Sequence, residues 1–197
     1  SSFIKGVKSV DVACGEGYIE QKAPDTVGVD FSIQALHNAK KNGANYLVQA
    51  AAEYLPFKDR AFNVAICLGS LEHFKSPALA LTEMARISRI QLLTVHAELP
   101  FPLSTARKML SKLLIKNSQP IENRFKWTKL SHIIQKSGLR IVFWGYHKYV
   151  GLHYLWRDKK WLGRLAKLLR IPSQTPFHSH YFVITYNPGP NSKEMNV

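Results

Sequence analysis

Short apolar runs recur along the chain, separated by stretches of mixed polarity long enough for a helix or a loop. The first run, over 8–14, reads as a buried strand and breaks into Gly15-Glu16-Gly17. Only a short helix fits over 16–21 before Pro24. A second strand is expected over 26–31. Ser32 is then a suitable N-cap for a helix over 33–42, which Gly43 stops. A third strand follows over 46–49, then a loop around Pro56 and a turn over 58–60. Residues 62–68 are almost wholly apolar, as in a central parallel strand, and Gly69-Ser70 ends the run. Ser76 and Pro77 open a helix to about Ile87, with Leu79, Met84 and Ile87 on its inner side. A fifth strand is expected over 91–97. Strand and helix alternate throughout, which predicts an α/β fold with a three-layer, doubly wound, Rossmann-like sheet.

The pattern loosens after residue 98. An amphipathic basic helix is expected over 103–115, and a polar connector around Pro120. Thr128 caps a helix over 129–137, with Gly138 as its stop. A strand over 139–143 continues toward Tyr149, and a last strand covers 181–186. Over 159–170, Trp161, Leu162, Leu165, Leu168 and Leu169 share one helical arc, and Lys159, Lys160, Arg164, Lys167 and Arg170 fill the other. That segment either packs on the sheet with a solvated basic back, or lays its apolar face on lipid. Residues 1–187 are expected to form one domain, with a disordered tail over 188–197.

Charge divides the chain where the pattern does. The net charge is +14. Residues 1–98 hold ten Lys/Arg and ten Asp/Glu, whereas 99–197 hold seventeen and three. A basic half of this kind faces an anionic partner such as RNA or a membrane surface, or only keeps the chain soluble. The two cysteines, Cys14 and Cys67, lack metal-ligand spacing, and no metal is expected. No apolar run is long enough to span a bilayer, so the expected location is cytoplasmic, with peripheral membrane contact as an open alternative.

The candidate chemistry begins at the first strand. Strand, glycine turn, helix, strand and acid (Asp30) form the plan of a nucleotide-binding βαβ unit. Glycines let a backbone approach a ligand where a Cβ would collide, and an acid at the next strand's tip can accept from ribose hydroxyls. A nicotinamide-dependent version would want a further glycine near position 20, where Glu20 stands.

Four segments together carry a resemblance. They are Asp11-Val-Ala-Cys-Gly15-Glu-Gly17, Val27-Gly-Val-Asp30-Phe-Ser32, Ala52-Glu53-Tyr-Leu-Pro-Phe-Lys-Asp59, and the run from Phe62 to Leu71-Glu72-His73. In this order and spacing, residues 8–98 resemble the class I S-adenosylmethionine-dependent methyltransferases, and most of all the type 11 methyltransferase domain. The resemblance implies a seven-stranded sheet, mostly parallel, whose last strand inserts antiparallel. It implies S-adenosylmethionine as cofactor. Asp11, Ala13, Cys14, Gly15 and Gly17 would hold the methionine part, Asp30 the ribose, Phe31, Ser32, Ala52 and Glu53 the adenine side, and Leu68 and Gly69 the sulfonium. Ala13 departs from the usual first glycine, and Ala51 stands where an Asp commonly reaches the adenine.

Methyl transfer is an in-line displacement, and a base is needed only if the acceptor must first lose a proton. His73, after the fourth strand, and His96, at the end of the fifth, are the candidate catalytic residues; each also has a purely structural reading. Glu72 either contacts the cofactor or a loop, or is an acid at the start of a helix. Tyr146, His147, Tyr149 and Trp156 line an acceptor pocket or pack the sheet edge. The expected acceptor is a small or lipid-like molecule. A non-catalytic relative that binds RNA or an anionic membrane through its basic half is the alternative.

Overall fold

A computed structural model of the protein describes residues 7–98, 124–151 and 174–189. Seven strands form one sheet: β1 (Ser9–Val12), β2 (Val27–Asp30), β3 (Tyr46–Gln49), β4 (Phe62–Leu68), β5 (Ser88–His96), β6 (Arg140–Gly151) and β7 (Gln174–Tyr186). Their order is β3-β2-β1-β4-β5-β7-β6. The five strands from β3 to β5 are parallel, and β7 runs antiparallel between β5 and β6. The doubly wound sheet with an inserted antiparallel strand is therefore as the resemblance implied.

Three described helices accompany it: α1 (Ile33–Lys41), α2 (Pro77–Ile87) and α3 (Trp127–Lys136). Ser32 caps α1 by accepting from the Ala35 N–H, and Ser76 caps α2 by accepting from the Leu79 N–H, with Pro77 in the first turn. The core gathers Val10 and Val12 of β1, Ala65 and Cys67 of β4, and Leu93 and Val95 of β5 against Leu81, Met84 and Ile87 of α2 and Leu130 and Ile134 of α3. The Ser137 hydroxyl donates to the Ala78 carbonyl at 3.1 Å and ties the end of α3 to the start of α2.

Several expectations are corrected. Residues 16–21 form turns, not a helix, with the Gln21 N–H on the Gly17 carbonyl. Thr128 lies inside α3, and Lys126 occupies its N-cap without a side-chain bond. Leu79 is exposed; Ala80, Leu81, Met84, Ala85 and Ile87 are the buried residues of α2. No separate turn precedes β5: Ser88 ends α2 and begins the strand, its hydroxyl donating to the Met84 carbonyl at 2.7 Å. β6 runs on past Tyr149 as expected, whereas β7 begins at Gln174, seven residues before the expected start at 181, and is 13 residues long. The helices expected over 103–115 and 159–170, Trp156, and nearly all of the tail lie outside the described residues.

Candidate active site

In an open parallel sheet a ligand sits beyond the carboxyl ends of the strands, where the winding reverses. Here the reversal lies between β1 and β4. The cofactor and catalytic candidates singled out from the sequence lie toward the carboxyl ends of β1, β2, β4 and β5 and in the loops that leave β1 to β4.

The turn after β1 is bent by positive φ at Ala13 (64°), Gly15 (56°) and Gly17 (77°). The two glycines are needed for different reasons. A Cβ on Gly15 would meet nothing within 4 Å, so this backbone faces open space. A Cβ on Gly17 would stand 2.9 Å from the Ala39 Cβ, so its bareness seats the turn on α1. Asn38 donates to the Glu16 carboxylate and Asn42 to the Glu16 carbonyl, fastening the same turn to α1. Asp30 closes the site from β2: it accepts from the Gly15 N–H at 2.9 Å and from the Ser32 N–H at 2.8 Å. One carboxylate thus fixes both the glycine turn and the start of α1, and each oxygen keeps lone-pair capacity for a ligand.

Beneath the turn the described titratable groups are all acids. Asp11 is 4% exposed, and burial, then Glu20, then Asp30, hold its carboxyl well above the usual range. Glu20 is fully buried, neither carboxylate oxygen has a hydrogen-bond partner among the described residues, and burial raises its proton affinity. The Cys14 thiol is pushed up by burial and by the same acids. A pocket of this kind suits the positive end of a ligand.

The adenine side expected from the sequence is held from outside. Phe31 is 77% exposed at the rim, and Ala52 is buried. Glu53 accepts from the Ser76 N–H at 3.1 Å, so its carboxylate anchors the start of α2. Glu83 accepts from the Leu55 N–H, while Arg86 donates to the carbonyls of Leu55 and Phe57 and to Asp59 and Glu83. This clamp sets the path of residues 55–59. The Arg86 bond holds Glu83 below the usual carboxylate range.

At the end of β4, Leu68 is partly exposed and Gly69 adopts φ 62°. A Cβ on Gly69 would stand 3.9 Å from Cε1 of His96. The one-turn 3-10 helix Leu71–His73 brings Glu72 to zero exposure, where it pairs with Nδ1 of His96. The ring of His96 lies 4.1 Å from that of His180, its register partner on β7. Of the two candidate histidines, His96 therefore joins the buried carboxylate, and His73 ends the turn that carries it. Tyr146 is packed near Tyr181, which also meets Trp127.

Sequence reading missed His180, because the last strand was expected to begin one residue beyond it. It also missed the Glu72–His96 pairing, which depends on β4 and β5 being neighbours. The available signal was the position of both residues just past apolar strands.

Residues 10–91 match the type 11 family described as a methyltransferase domain. Residues 10–91 are thus similar to a methyltransferase domain. Over 128 residues it is 30% identical to the demethylmenaquinone methyltransferase of Staphylococcus aureus MRSA252, which covers 59% of this chain and 53% of that protein. The chain thus spans about half the length of that relative. The fold of the domain is also that of the S-adenosylmethionine-dependent methyltransferase of Mesorhizobium loti, with a TM-score of 0.65 at 15% identity over 93% of this chain and 92% of the other. Magnesium protoporphyrin IX methyltransferase of Synechocystis PCC 6803, solved with bound SAH, gives 0.63 at 15% identity, covering 94% and 76%. None of these likenesses supports the non-catalytic reading. Among the described residues of the domain, no helix is long and apolar enough to cross a membrane, and no cluster of three metal-ligating side chains occurs.

Proposed function

We propose that the chain is an S-adenosylmethionine-dependent methyltransferase acting on a small or lipid-like acceptor. The observation that carries this reading is the Asp30 carboxylate, which bridges the Gly15 and Ser32 N–H groups while Gly15 opens to free space. These residues fit the cofactor. Gly15 admits its methionine part, with Ala13, Cys14 and Gly17 shaping the turn and the Asp11 carboxyl below. Asp30 takes the ribose hydroxyls; Phe31, Ser32, Ala52 and Glu53 border the base; Leu68 and Gly69 border the sulfur. When bound, the cofactor supplies a sulfonium methyl group poised for displacement. The protein's own part is to align an acceptor in line with it and to exclude water.

A lipid-like acceptor is supported by the demethylmenaquinone methyltransferase likeness and by the basic half, which suits an anionic membrane surface from which such an acceptor would be drawn. The reading takes residues 1–187 as one domain, which the sharing of one sheet by β5, β7 and β6 supports.

Calorimetry tests the cofactor. Saturable binding of S-adenosylhomocysteine, but not NAD, is expected; no heat and no thermal shift with either sulfur ligand overturns the reading. Retention on anionic vesicles that weakens with salt is expected for the basic half, and salt-independent retention argues against an electrostatic partner.

A further inference from the structure

The free edge beyond β7 departs from the way sheet edges are kept soluble. β6 is the outermost strand there and is 12 residues long. Edge strands are commonly short, or carry charge and proline that stop anything adding to them. This one instead shows apolar side chains in succession. Val142 is 67% exposed, Phe143 is 54% exposed, and Trp144 and Tyr146 are exposed beside them. Val142 is the extra residue at the register shift between Ile141 and Phe143, so the strand bulges there. Phe143 meets Phe182 of β7, and Trp144, its neighbour on the opposite face, stacks on Trp127 of α3. The apolar surface therefore wraps the edge from both faces.

Charge frames this edge with one sign. Residues 124–151 contain six Lys/Arg and no Asp or Glu. Lys126 and Lys129 are exposed at the start of α3, next to Trp127, and Lys136 and Arg140 are exposed where α3 leads into β6. Among the described residues, no ion pair holds any of these four.

We propose that the β6 edge and the adjoining part of α3 form a docking surface for an anionic lipid bilayer. The exposed aliphatic and aromatic side chains enter the interfacial zone, and the three lysines and Arg140 meet headgroup phosphates. The outer flank of β6 has no strand beside it among the described residues, and its free backbone groups set the depth: water and headgroups can bond them, hydrocarbon cannot. Lipid suits this edge better than the other candidate partners. Single-stranded nucleic acid wants open ring faces on which bases stack, whereas Trp127 already covers one face of Trp144, and Val142 has no ring. A second copy would bring the same positive charge to the contact, with no acid in 124–151 to pair with it. The edge lies two strand spacings, about 10 Å, from β5, so docking holds the carboxyl ends of β4 and β5 near the bilayer. That this supplies a lipid-like acceptor rests on the function proposed above; the docking itself does not.

A label on the whole chain reads the surface directly. Cys14 and Cys67 are both buried, so the cysteine of Val142→Cys takes an environment-sensitive dye alone. Its emission is expected to shift to the blue with vesicles of phosphatidylcholine and phosphatidylglycerol, far less with phosphatidylcholine alone, and to return as salt is raised. The same dye on His37→Cys, exposed on α1, should not respond. In co-sedimentation, Phe143→Ser, and separately Lys126→Glu with Lys129→Glu, should each lower partition into the anionic vesicles roughly tenfold or more, with thermal melting close to wild type. Wild type that binds no vesicle overturns the proposal. So does a silent label at position 142 on vesicles that do bind, or unchanged partition in the folded variants, since either places the contact elsewhere. A dye shift that grows with protein concentration without lipid, or one as large with single-stranded RNA, gives the edge to a second copy or to nucleic acid and overturns it as well. If the partition variants do not fold, the labelled Val142→Cys decides alone. Wild type that fails to bind S-adenosylhomocysteine brings down the function proposed above and leaves the docking result as read.

Discussion

Among the described residues two glutamates are fully buried, one on each side of the point where the sheet reverses its winding, and they are buried on different terms. Glu20, under the β1 turn, has no hydrogen-bond partner and lies among Asp11, Asp30 and Cys14. Glu72, beyond β4, has an imidazole on one oxygen. A lone buried carboxyl lowers its energy by keeping its proton; one beside a histidine can share a charge. The first side thus gathers acids whose burial favours the protonated form, and the second pairs a buried acid with an imidazole.

The largest test of this division is Asp30→Ala. It removes the bridge between the Gly15 and Ser32 N–H groups along with the proposed ribose acceptor, and two charge-assisted bonds are together worth about 3 kcal/mol or more. Calorimetry should show S-adenosylhomocysteine binding weakened more than 100-fold. Asp30→Asn should not rescue it, because its amide would turn N–H groups against a backbone N–H. Unchanged affinity would place the ribose elsewhere.

Gly28→Ala presses on the buried acid from the sheet. The new Cβ would stand 2.9 Å from Cys14 Sγ, Glu20 Oε1 and Leu47 Cδ2. Denaturant melts should show a loss of about 1–3 kcal/mol. A neutral result would mean that this side is loosely packed.

Glu20→Gln sharpens the contrast through pH. Burial raises the Glu20 carboxyl in the folded protein, so the folded state binds the extra proton. Its contribution to stability is whole below the unfolded value of about 4.5 and is lost as pH rises through the folded one. Glu83, lowered by Arg86, has the opposite sign: its contribution holds above that value and fades in acid. As pH rises above about 5, the wild type should lose stability that Glu20→Gln retains. Parallel melting curves across this range would show that Glu20 is not protonated in the fold.

The smallest effect is expected from Ala13→Gly. Ala13 sits at φ 64°, where an L side chain is strained by roughly 1–2 kcal/mol. The gain is partly offset by the greater freedom of glycine in the unfolded chain. A net stabilisation below about 1 kcal/mol is expected, with cofactor affinity equal or better. A loss would show that the alanine methyl packs usefully.

The two sides were unequally legible in the sequence. Asp11, Gly15, Gly17 and Asp30 lie within one βαβ unit, where local spacing decides who meets whom. Even there, the division of labour between Gly15 and Gly17 was hidden, because it depends on the approach of α1. The histidine side joins Glu72, His96 and His180 from a turn and two strands. No periodicity encodes that meeting, since it follows from where β7 inserts. Glu20 was noticed only as a residue that was not glycine; its missing partners became visible when Gly28 and Leu47 closed over it.

The late insertion of β7 carries a consequence for synthesis. Its Thr185 hydroxyl donates to Gln91 of β5 across 94 positions of sequence, and the Asn187 N–H bonds to the Arg89 carbonyl. Until β7 leaves the ribosome, one flank of β5 has no strand to bond, and Leu92, Leu93 and Val95 border an open ladder. The nascent chain therefore assembles its cofactor side early. It completes the other side only when its final strand arrives, and a chain stopped before Gln174 presents an edge to which a second copy can add.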